Sequence, residues 1–358
     1  MTKLYAVFVV LGITCGTTFT ENGLALDVDF AGLYGDEDYV SIATGSIQPI
    51  AKAPAVASVI TASQIRAMGA RDIDQVLESV PGLHISLNAI YNPEYLFRGI
   101  SSDFSPQVLM LINGIPITNL FQGDRNLVWG GMPVEAISRI EVIRGPGSAL
   151  YGADAFAGVI NIVTKTAKEV KSNSAGVRVG SFDTTDVWFT AAGEKGDLGY
   201  MGSVEFTKSD GSDAQIDRDA QSLLDLITGT AVSNAPGSVN LSSENIELRF
   251  EASYKKLRLR AGGQIRENIG DGAGAAQALN PGNKFSSQRF NVDLTYTEEA
   301  IFNNTSLELQ ASHFDTSQEV EGNFILYPEG STGPFLNPLG VPIFPPFPEG
   351  VIGNPEVY

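Results

Sequence analysis

The sequence predicts an α+β domain over residues 49–168, followed from about residue 174 by antiparallel β-strands. Two observations support this order. Helix-start and strand signals alternate in the first region, whereas short segments of alternating apolar and charged residues fill the second. The chain has 358 residues, 43% hydrophobic and 18% charged, which allows at least two folded domains and excludes a disordered chain.

Two helix starts are signalled in the α+β region. Thr61-Ala62-Ser63-Gln64 is a capping box, and Gly69 is placed to end that helix after about two turns. Asp72-Ile73-Asp74-Gln75 resembles a second box and predicts a helix that ends at Pro81-Gly82. The residues predicted to form its buried face have helical spacing: Ile73, Val76, Leu77 and Val80.

Three strands complete the predicted α+β domain. They are Val108–Ile112, Ser138–Ile143 and Val159–Thr164, and the turn pair Asn113-Gly114 closes the first of them. Nothing in this region has the composition of a surface that faces lipid.

The second region repeats one apolar and one polar face. In its first segment Val187, Phe189 and Ala191 alternate with Asp186, Trp188 and Thr190. The same habit recurs in Asn245–Tyr254, Leu257–Arg260, Phe290–Leu294 and Leu307–Gln310. Outer-membrane barrels and soluble sandwiches both alternate in this way, so the pattern alone leaves the two open.

The N-terminus predicts a secretory signal over residues 1–25. Lys3 precedes the apolar run Leu4–Ile13, which is too short to span a bilayer because a spanning helix needs about 20 residues. Gly23-Leu24-Ala25 offers small residues for cleavage after Ala25, although a buried N-terminal strand is the alternative. The single cysteine, Cys15, lies in this leader, so we expect no disulfide after cleavage.

The net charge of −18 makes nucleic acid an unexpected partner, since binding there depends on clustered Lys and Arg. After the leader no apolar run is long enough for a membrane helix. If the protein spans a membrane, it must therefore do so as a closed barrel.

Three segments of the α+β region carry a family resemblance. The run from Arg139 to Gly152, continued by Ala155–Thr164, closely resembles the plug signature of TonB-dependent receptors. Leu77–Leu83 and Phe97–Ile100, the latter followed by Val108–Pro116, resemble two further plug segments in the expected order. Where the family usually has Asp before Gly, this chain has Asn113, which still suits a turn.

The resemblance implies an α+β plug domain followed by an incomplete antiparallel transmembrane β-barrel in the outer membrane of a Gram-negative bacterium. The barrel strands would fill residues 174–358 and contact outer-membrane lipid. The implied signature residues are Arg98, Gly99, Arg144, Gly145, Pro146 and Gly152. By resemblance the two arginines would form a buried cluster with barrel glutamates, and ordinary, partly exposed arginines are the alternative.

The acidic lead, residues 26–48, contains a β-prone island that looks like the family's TonB box at residues 37–45. Its residues are Glu37, Asp38, Tyr39, Val40, Ser41, Ile42, Ala43 and Thr44, followed by Gly45. Such a segment would add a strand to the sheet edge of the periplasmic TonB protein. Residues 26–36 alone separate the predicted cleavage site from it, so we expect no additional signalling domain there.

No enzyme motif is found. Gly147 to Gly152 has the glycine spacing of a phosphate loop, but Ala153-Asp154 follows where Lys and Ser or Thr are needed. His84 and His313 are the two histidines, and we interpret both as structural or loop residues. We expect no cofactor.

Two loops remain as weak candidates for ligand contact. Four carboxylates crowd one of them, as a calcium site or, more simply, as a solvated acidic loop: Asp210, Asp213, Asp217 and Asp219. The Pro- and Phe-rich stretch from Phe324 to Pro348 resembles an external loop that touches ligand or has no role.

The sequence therefore predicts an energy-coupled importer of a scarce, large nutrient. A ferric siderophore is the first expectation; cobalamin or an oligosaccharide, and a passive or structural barrel, are the alternatives. The chain is also expected to be a fragment. After Lys168 there remain 190 residues, enough for about eight strands with their loops, whereas a plugged barrel of about 22 strands needs roughly 220 residues in strands alone.

Overall fold

A computed structural model of the chain describes residues 56–88, 92–102, 104–118, 130–147, 151–302 and 305–332, with short strands between 39 and 49 and between 335 and 352. The predicted signal, residues 1–25, lies outside the described residues. Of the predicted TonB box, the description covers Tyr39–Val40 alone.

The α+β domain contains a five-stranded mixed sheet, in the order β3-β8-β9-β6-β7, and a separate β4–β5 hairpin. Strands β6 and β9 are parallel, and the other neighbours are antiparallel. Its elements are β1 (Tyr39–Val40), β2 (Gln48–Pro49), β3 (Val56–Thr61), α1 (Ala62–Met68), α2 (Ile73–Leu77), β4 (Leu83–Leu87), β5 (Pro93–Phe97), β6 (Val108–Ile112), β7 (Ile115–Pro116), β8 (Ile137–Arg144) and β9 (Gly158–Thr164), with a 3₁₀ turn at Ala153–Ala155.

Both predicted helix starts are present. Thr61 and Gln64 form the reciprocal capping box of α1, and Gly69 ends the helix at φ 70°. Asp72 caps α2, its side chain accepting from the Gln75 N–H at 2.9 Å. The prediction that α2 continues to Pro81 is wrong, because after Leu77 the backbone changes to i→i−3 turns; Val80 nevertheless remains buried.

The central strands of this domain are buried on both faces. In β6, Met110 and Ile112 pack into the larger apolar cluster with α2, whereas Leu109 and Leu111 pack into a second cluster behind the sheet. Burial on both sides explains why the strand is a continuous apolar run. The predicted Asn113-Gly114 pair forms the β6–β7 turn, with both residues at positive φ.

The second region forms one seven-stranded antiparallel sheet, in the order β10-β11-β12-β15-β16-β17-β18, which we call the wall. Its strands are β10 (Ser174–Gly180), β11 (Thr184–Lys195), β12 (Leu198–Ser209), β15 (Ser243–Tyr254), β16 (Leu257–Gly270), β17 (Lys284–Phe302) and β18 (Thr305–Val320). Among the described residues β10 and β18 do not pair, so the wall is an open, incomplete barrel.

Smaller elements lie in the long connections of the wall. They are β13 (Gln215–Ile216), α3 (Ala220–Thr228), β14 (Gly237–Ser238), β19 (Ile325–Tyr327), β20 (Ser331–Thr332), β21 (Phe335–Leu336), β22 (Pro342–Ile343), β23 (Pro346–Phe347) and β24 (Val351–Ile352). The long connections 210–242 and 271–283 leave one end of the wall, and two-residue turns close the β11–β12 and β15–β16 hairpins at the other.

The faces of the wall are inverted relative to a soluble sandwich. In β15, Leu248 is 47% exposed and Phe250 is 46% exposed, whereas Glu247 and Glu251 are each 2% exposed. Strand β11 has the same arrangement, with Phe189 exposed and its polar neighbours buried. A sandwich would bury its apolar face. The buried charged face and the exposed apolar face therefore identify the wall as part of a transmembrane barrel and exclude a soluble sandwich.

No helix among the described residues is both long and apolar enough to cross a membrane.

We expect Leu248→Lys to destabilise the wall by about 2–4 kcal/mol, because it places a charge on the lipid-facing side near mid-strand. Urea titration of folding into lipid vesicles measures this difference. Leu223→Lys is the matched control, since Leu223 is 60% exposed on the loop helix α3. Equal effects of the two substitutions would contradict a lipid-facing wall.

Candidate functional site

The signature turn after β8 is built around glycine. Gly145 has φ 123° and donates its N–H to the Ala157 carbonyl at 3.0 Å. A Cβ on Gly147 would lie 2.6 Å from Cγ2 of Val159, so the close approach of turn and strand excludes a side chain there. Gly152, at φ 77°, precedes the 3₁₀ turn. The sequence signature is thus a compact turn held inside the α+β domain.

The two signature arginines lie on either side of Pro81-Gly82. Arg144 donates from Nη1 to the Pro81 carbonyl at 2.7 Å and from Nη2 to Ser58 Oγ at 3.1 Å. The Arg98 N–H donates to the Gly82 carbonyl at 2.9 Å, and Gly99 follows at φ 79°. In the described part of the chain neither side chain contacts a wall glutamate. No glutamate of the described wall pairs with both arginines, and the Arg144 side chain bonds within its own domain.

The plug-side segment Gly130–Met132, which we call the glycine segment, lies against the start of helix α2. Asp74 on α2 bonds both to this segment and to Tyr95 on strand β5. Asp74 Oδ2 accepts from the Gly131 N–H at 3.0 Å, and its Oδ1 accepts from the Tyr95 hydroxyl at 2.7 Å. The Ile73 N–H donates to the Met132 carbonyl at 3.0 Å. These bonds satisfy free groups at the start of α2.

The wall reaches the same segment from the other side. Asn245 on β15 donates from Nδ2 to the Gly131 carbonyl at 2.6 Å. The guanidinium of Arg266 on β16 lies so close that its Nη1 would be 3.3 Å from a Cβ on Gly130, and its Nη2 would be 3.7 Å from one on Gly131. The absence of side chains at this glycine pair lets the wall cation approach the backbone.

Charges complement each other at this contact. Burial raises the pKa of Asp74 from 3.8 to about 6, and the neighbouring Asp72 adds to the rise. Hydrogen bonds from Gly131 and Tyr95, together with the positive charge of Arg266, act in the opposite direction. The wall arginine therefore stabilises two acidic groups on α2.

Three further polar contacts join the domain to the wall. Glu205 Oε2 on β12 accepts from the Glu135 N–H at 3.0 Å, and the Glu135 carboxylate pairs with Arg178 on β10 at 2.9 Å. Near the end of the domain, Glu251 Oε2 on β15 accepts from the Ala167 N–H at 3.1 Å. Wall carboxylates thus accept hydrogen bonds from backbone N–H groups of the α+β domain. Such a bond does not require a particular side chain on the domain.

Other charges on the inner face pair within the wall. Arg260 makes a two-pronged contact with Asp293, with Nη2 at 2.6 Å from Oδ1. Glu247 pairs with Arg249 and with Arg289, the latter at 3.4 Å. Pairing of this kind is required because isolated buried charges are costly.

Beside these contacts, two of the cavities in the described part of the chain lie between the domain and the wall. One, of about 640 Å³, lies beside the short β15–β16 turn at Lys255-Lys256 and the domain turn Asn113-Gly114. The other, of about 500 Å³, lies toward the long connections, where Phe182 and Leu241 border it. Asp72, Gly131, Asn245 and Arg266 all line the second cavity. The glycine contact therefore opens onto the side of the wall from which the long loops leave.

The candidate cation loop does not converge on one point. Asp219 caps α3, accepting from the Ser222 N–H at 2.7 Å, and also accepts from the Leu279 N–H at 2.7 Å. Asp213 and Asp217 are exposed. Within the described residues no group of three His, Cys, Asp or Glu side chains is placed to hold a metal ion. Asp219 therefore orders the loop, and Asp210 lies at the end of β12.

The two histidines lie in different parts of the fold. His84 is on β4 and contacts Glu78 at 2.8 Å on the surface, and His313 is on wall strand β18. Among the described contacts, neither histidine has a nucleophilic side chain as its partner.

Asp74 makes the stability of the plug sensitive to pH. Its folded pKa lies above the ordinary value of 3.8, because burial and the charge of Asp72 outweigh the contacts with Gly131, Tyr95 and Arg266, so its contribution to stability is fully present below that pH and is lost as pH rises through about 6. We expect Asp74→Asn to flatten this dependence, measured as hydrogen exchange at the Gly131 amide after correction for the intrinsic rate. Asp213→Asn, at an exposed loop position, is the control and should retain the dependence. An unchanged pH profile in Asp74→Asn would contradict the assignment.

Comparison with known proteins places this geometry in a family. The model of the TonB-dependent receptor plug domain matches residues 49–159. The vitamin B12 transporter BtuB of Vibrio vulnificus is 35% identical over 136 residues, which are 37% of this chain and 22% of that protein. The iron-regulated outer membrane virulence protein of Vibrio cholerae is 37% identical over 161 residues, 43% of this chain and 23% of that protein. The matched segments thus span less than a quarter of these relatives.

Solved structures show the same fold. The siderophore receptor PirA from Acinetobacter baumannii superposes with a TM-score of 0.55 at 21% identity, covering 83% of this chain and 42% of that chain. The ferric-catecholate import receptor Fiu from E. coli also superposes with a TM-score of 0.55, at 16% identity, covering 76% of this chain and 40% of that chain. The signature turn and the family match agree: residues 49–159 form a plug domain of the TonB-dependent receptor type, and the chain shares the fold of solved outer-membrane receptors of that kind.

Proposed function

We propose that this protein imports a scarce, large nutrient across the outer membrane, with energy supplied by a periplasmic TonB protein. The observation that carries the proposal is the polar seam between plug domain and wall. The plug has its own apolar core, and hydrogen bonds such as Asn245–Gly131 and Glu251–Ala167 hold it to the charged face of the wall. Such bonds exchange with water at small net cost, so the plug can be displaced without unfolding its core.

Residues 37–45 are proposed as the segment that TonB pulls. Tyr39–Val40 is extended and pairs antiparallel with Gln48–Pro49. An extended, β-prone segment ahead of the plug suits strand addition to a partner sheet. A passive barrel, the alternative from another class, requires neither this segment nor a plug.

A ferric siderophore is the proposed cargo. Support comes from similar proteins, which include a ferric-catecholate import receptor and an iron-regulated outer membrane virulence protein. The similar vitamin B12 transporter keeps cobalamin as the second candidate, and an oligosaccharide is the third. Ligand would enter from the side of the long connections 210–242 and 271–283, because outer-membrane barrels place long loops outside. The exposed apolar face of the wall would contact lipid.

Growth competition distinguishes the cargo classes. Cells that depend on this receptor should grow on ferric siderophores as iron source and should gain nothing from it with cobalamin or oligosaccharides. A strain with the receptor deleted is the control. Growth supported by cobalamin instead would replace the siderophore by the second candidate and leave the import mechanism unaffected.

We expect Ile42→Pro to abolish energised uptake while ligand binding to whole cells stays near the parental level. Proline removes a backbone donor and fixes φ near −65°, so the segment can no longer add a strand to TonB. Uptake and binding of the same radiolabelled ligand are measured side by side.

Ile42→Val is the matched control, because it keeps the backbone donor and the branched side chain. It should transport normally. Parental uptake in Ile42→Pro would exclude this segment as the coupling site, and a passive barrel would show the same flux in both variants.

A further inference from the structure

We propose that Asn245 and Arg266 of the wall form a latch on the plug segment Gly130–Met132, and that this latch must open before the plug can move. The proposal rests on the proposed import function, since it concerns plug displacement. Arg144 of the plug signature is bonded to Pro81 and Ser58 inside the plug. In the described part of the chain, the contacts that hold the plug to the wall are therefore made by other residues.

The latched segment is held from two sides. On the plug side the Gly131 N–H donates to Asp74, and the Met132 carbonyl accepts from Ile73, so the segment is fixed to the start of α2. On the wall side the Gly131 carbonyl accepts from Asn245. The N–H and the carbonyl of Gly131 thus connect α2 to strand β15.

Arg266 adds charge to this connection. Its guanidinium lies against Gly130 and Gly131 and interacts electrostatically with Asp72 and Asp74 on α2. Arg266 is 7% exposed, so its attraction to these carboxylates is little screened by solvent. Removing one member of such a group leaves the others buried without compensation, which makes the latch cooperative.

The glycines are required for this closeness. A Cβ on Gly130 would lie 3.0 Å from two ring carbons of Pro93 and 3.3 Å from Arg266 Nη1. The position is therefore crowded from the plug and from the wall at once. A side chain there would separate the two surfaces that the latch joins.

The latch also faces the side from which ligand would arrive. Gly131, Asn245, Arg266 and Asp72 line the cavity of about 500 Å³ beside the long connections. A ligand in that cavity that carries oxygen acceptors could pair with Arg266 in place of the aspartates. Ligand binding and release of the plug would then share one cation.

The test measures plug opening without transport. Receptor variants in outer membranes of cells that lack TonB are assayed for entry of a large glycopeptide antibiotic, and the purified receptor is assayed for hydrogen exchange at the Gly131 amide. We expect Arg266→Gln to lower the protection of that amide by about 30-fold, in line with loss of one member of a buried charged group. Antibiotic entry should rise with it.

Asn245→Ala removes one neutral hydrogen bond and should have a smaller effect of the same sign, on the order of 5-fold. If Arg266→Gln does not assemble in the membrane, the result for Asn245→Ala tests the latch by itself. Arg266→Gln combined with Asp74→Asn should lose less protection than the sum of the two single changes, because the two charges act on each other.

Arg260→Gln is the matched control. It breaks an ion pair of the same kind with Asp293 on the same inner face, but that pair lies within the wall. Exchange at Gly131 and antibiotic entry should stay at parental values. If Arg266→Gln and Asn245→Ala both behave like Arg260→Gln, the latch does not exist. Because neither readout needs ligand or TonB, failure of the import proposal would appear separately, as absent uptake in a receptor whose latch behaves as described.

Discussion

The structure depends on one constraint, which is that the charged face of the wall must be covered by polar partners. Glu247, Arg249 and Glu251 are nearly fully buried on β15, while the apolar residues between them are exposed. A buried carboxylate without a partner is too costly to retain. Some charges are paired inside the wall, and others accept backbone N–H groups of the plug, as Glu251 does from Ala167. The plug is therefore needed to complete the wall electrostatically.

The same constraint explains how the plug can be both stable and removable. Its own core, from Ile60 in β3 to Ile162 in β9, is apolar and is built from residues of the domain, with Phe314 of the wall packed against it. Separating two apolar surfaces costs about 25 cal/mol for each Å² exposed, whereas polar groups recover hydrogen bonds from water once they are parted. A polar seam around an apolar core thus confines the weak point to the boundary. In the proposed import cycle the plug would part from the wall at this boundary as a folded unit.

Local signals in the sequence predicted the local structure well. The capping residues Thr61 and Asp72, the Asn113-Gly114 turn and the central strands follow from short-range chemistry, and each was found. The choice between a barrel and a sandwich depended on which face of the wall is buried. Alternation in the sequence defines two faces but does not show which of them faces inward. The contacts of Gly131 could not be predicted, since its partner Asn245 is 114 residues away in the chain. The adjacent glycines at 130 and 131 were the available signal, because glycine pairs mark places where other groups come close.

The position of Arg144 gives the family signature a mechanical meaning in the proposed import cycle. A pull on residues 37–45 enters the plug at β3, an edge strand whose sheet neighbour is β8. Val56 at the start of β3 pairs with Arg144, and the Arg144 side chain bonds to Ser58 on the same strand and to Pro81 beyond α2. The arginine thus cross-links the strand that receives the force to the helix region that carries Asp74. In the proposed cycle, force applied at the N-terminus would reach α2 through this cross-link, and from α2 the seam with Asn245 and Arg266.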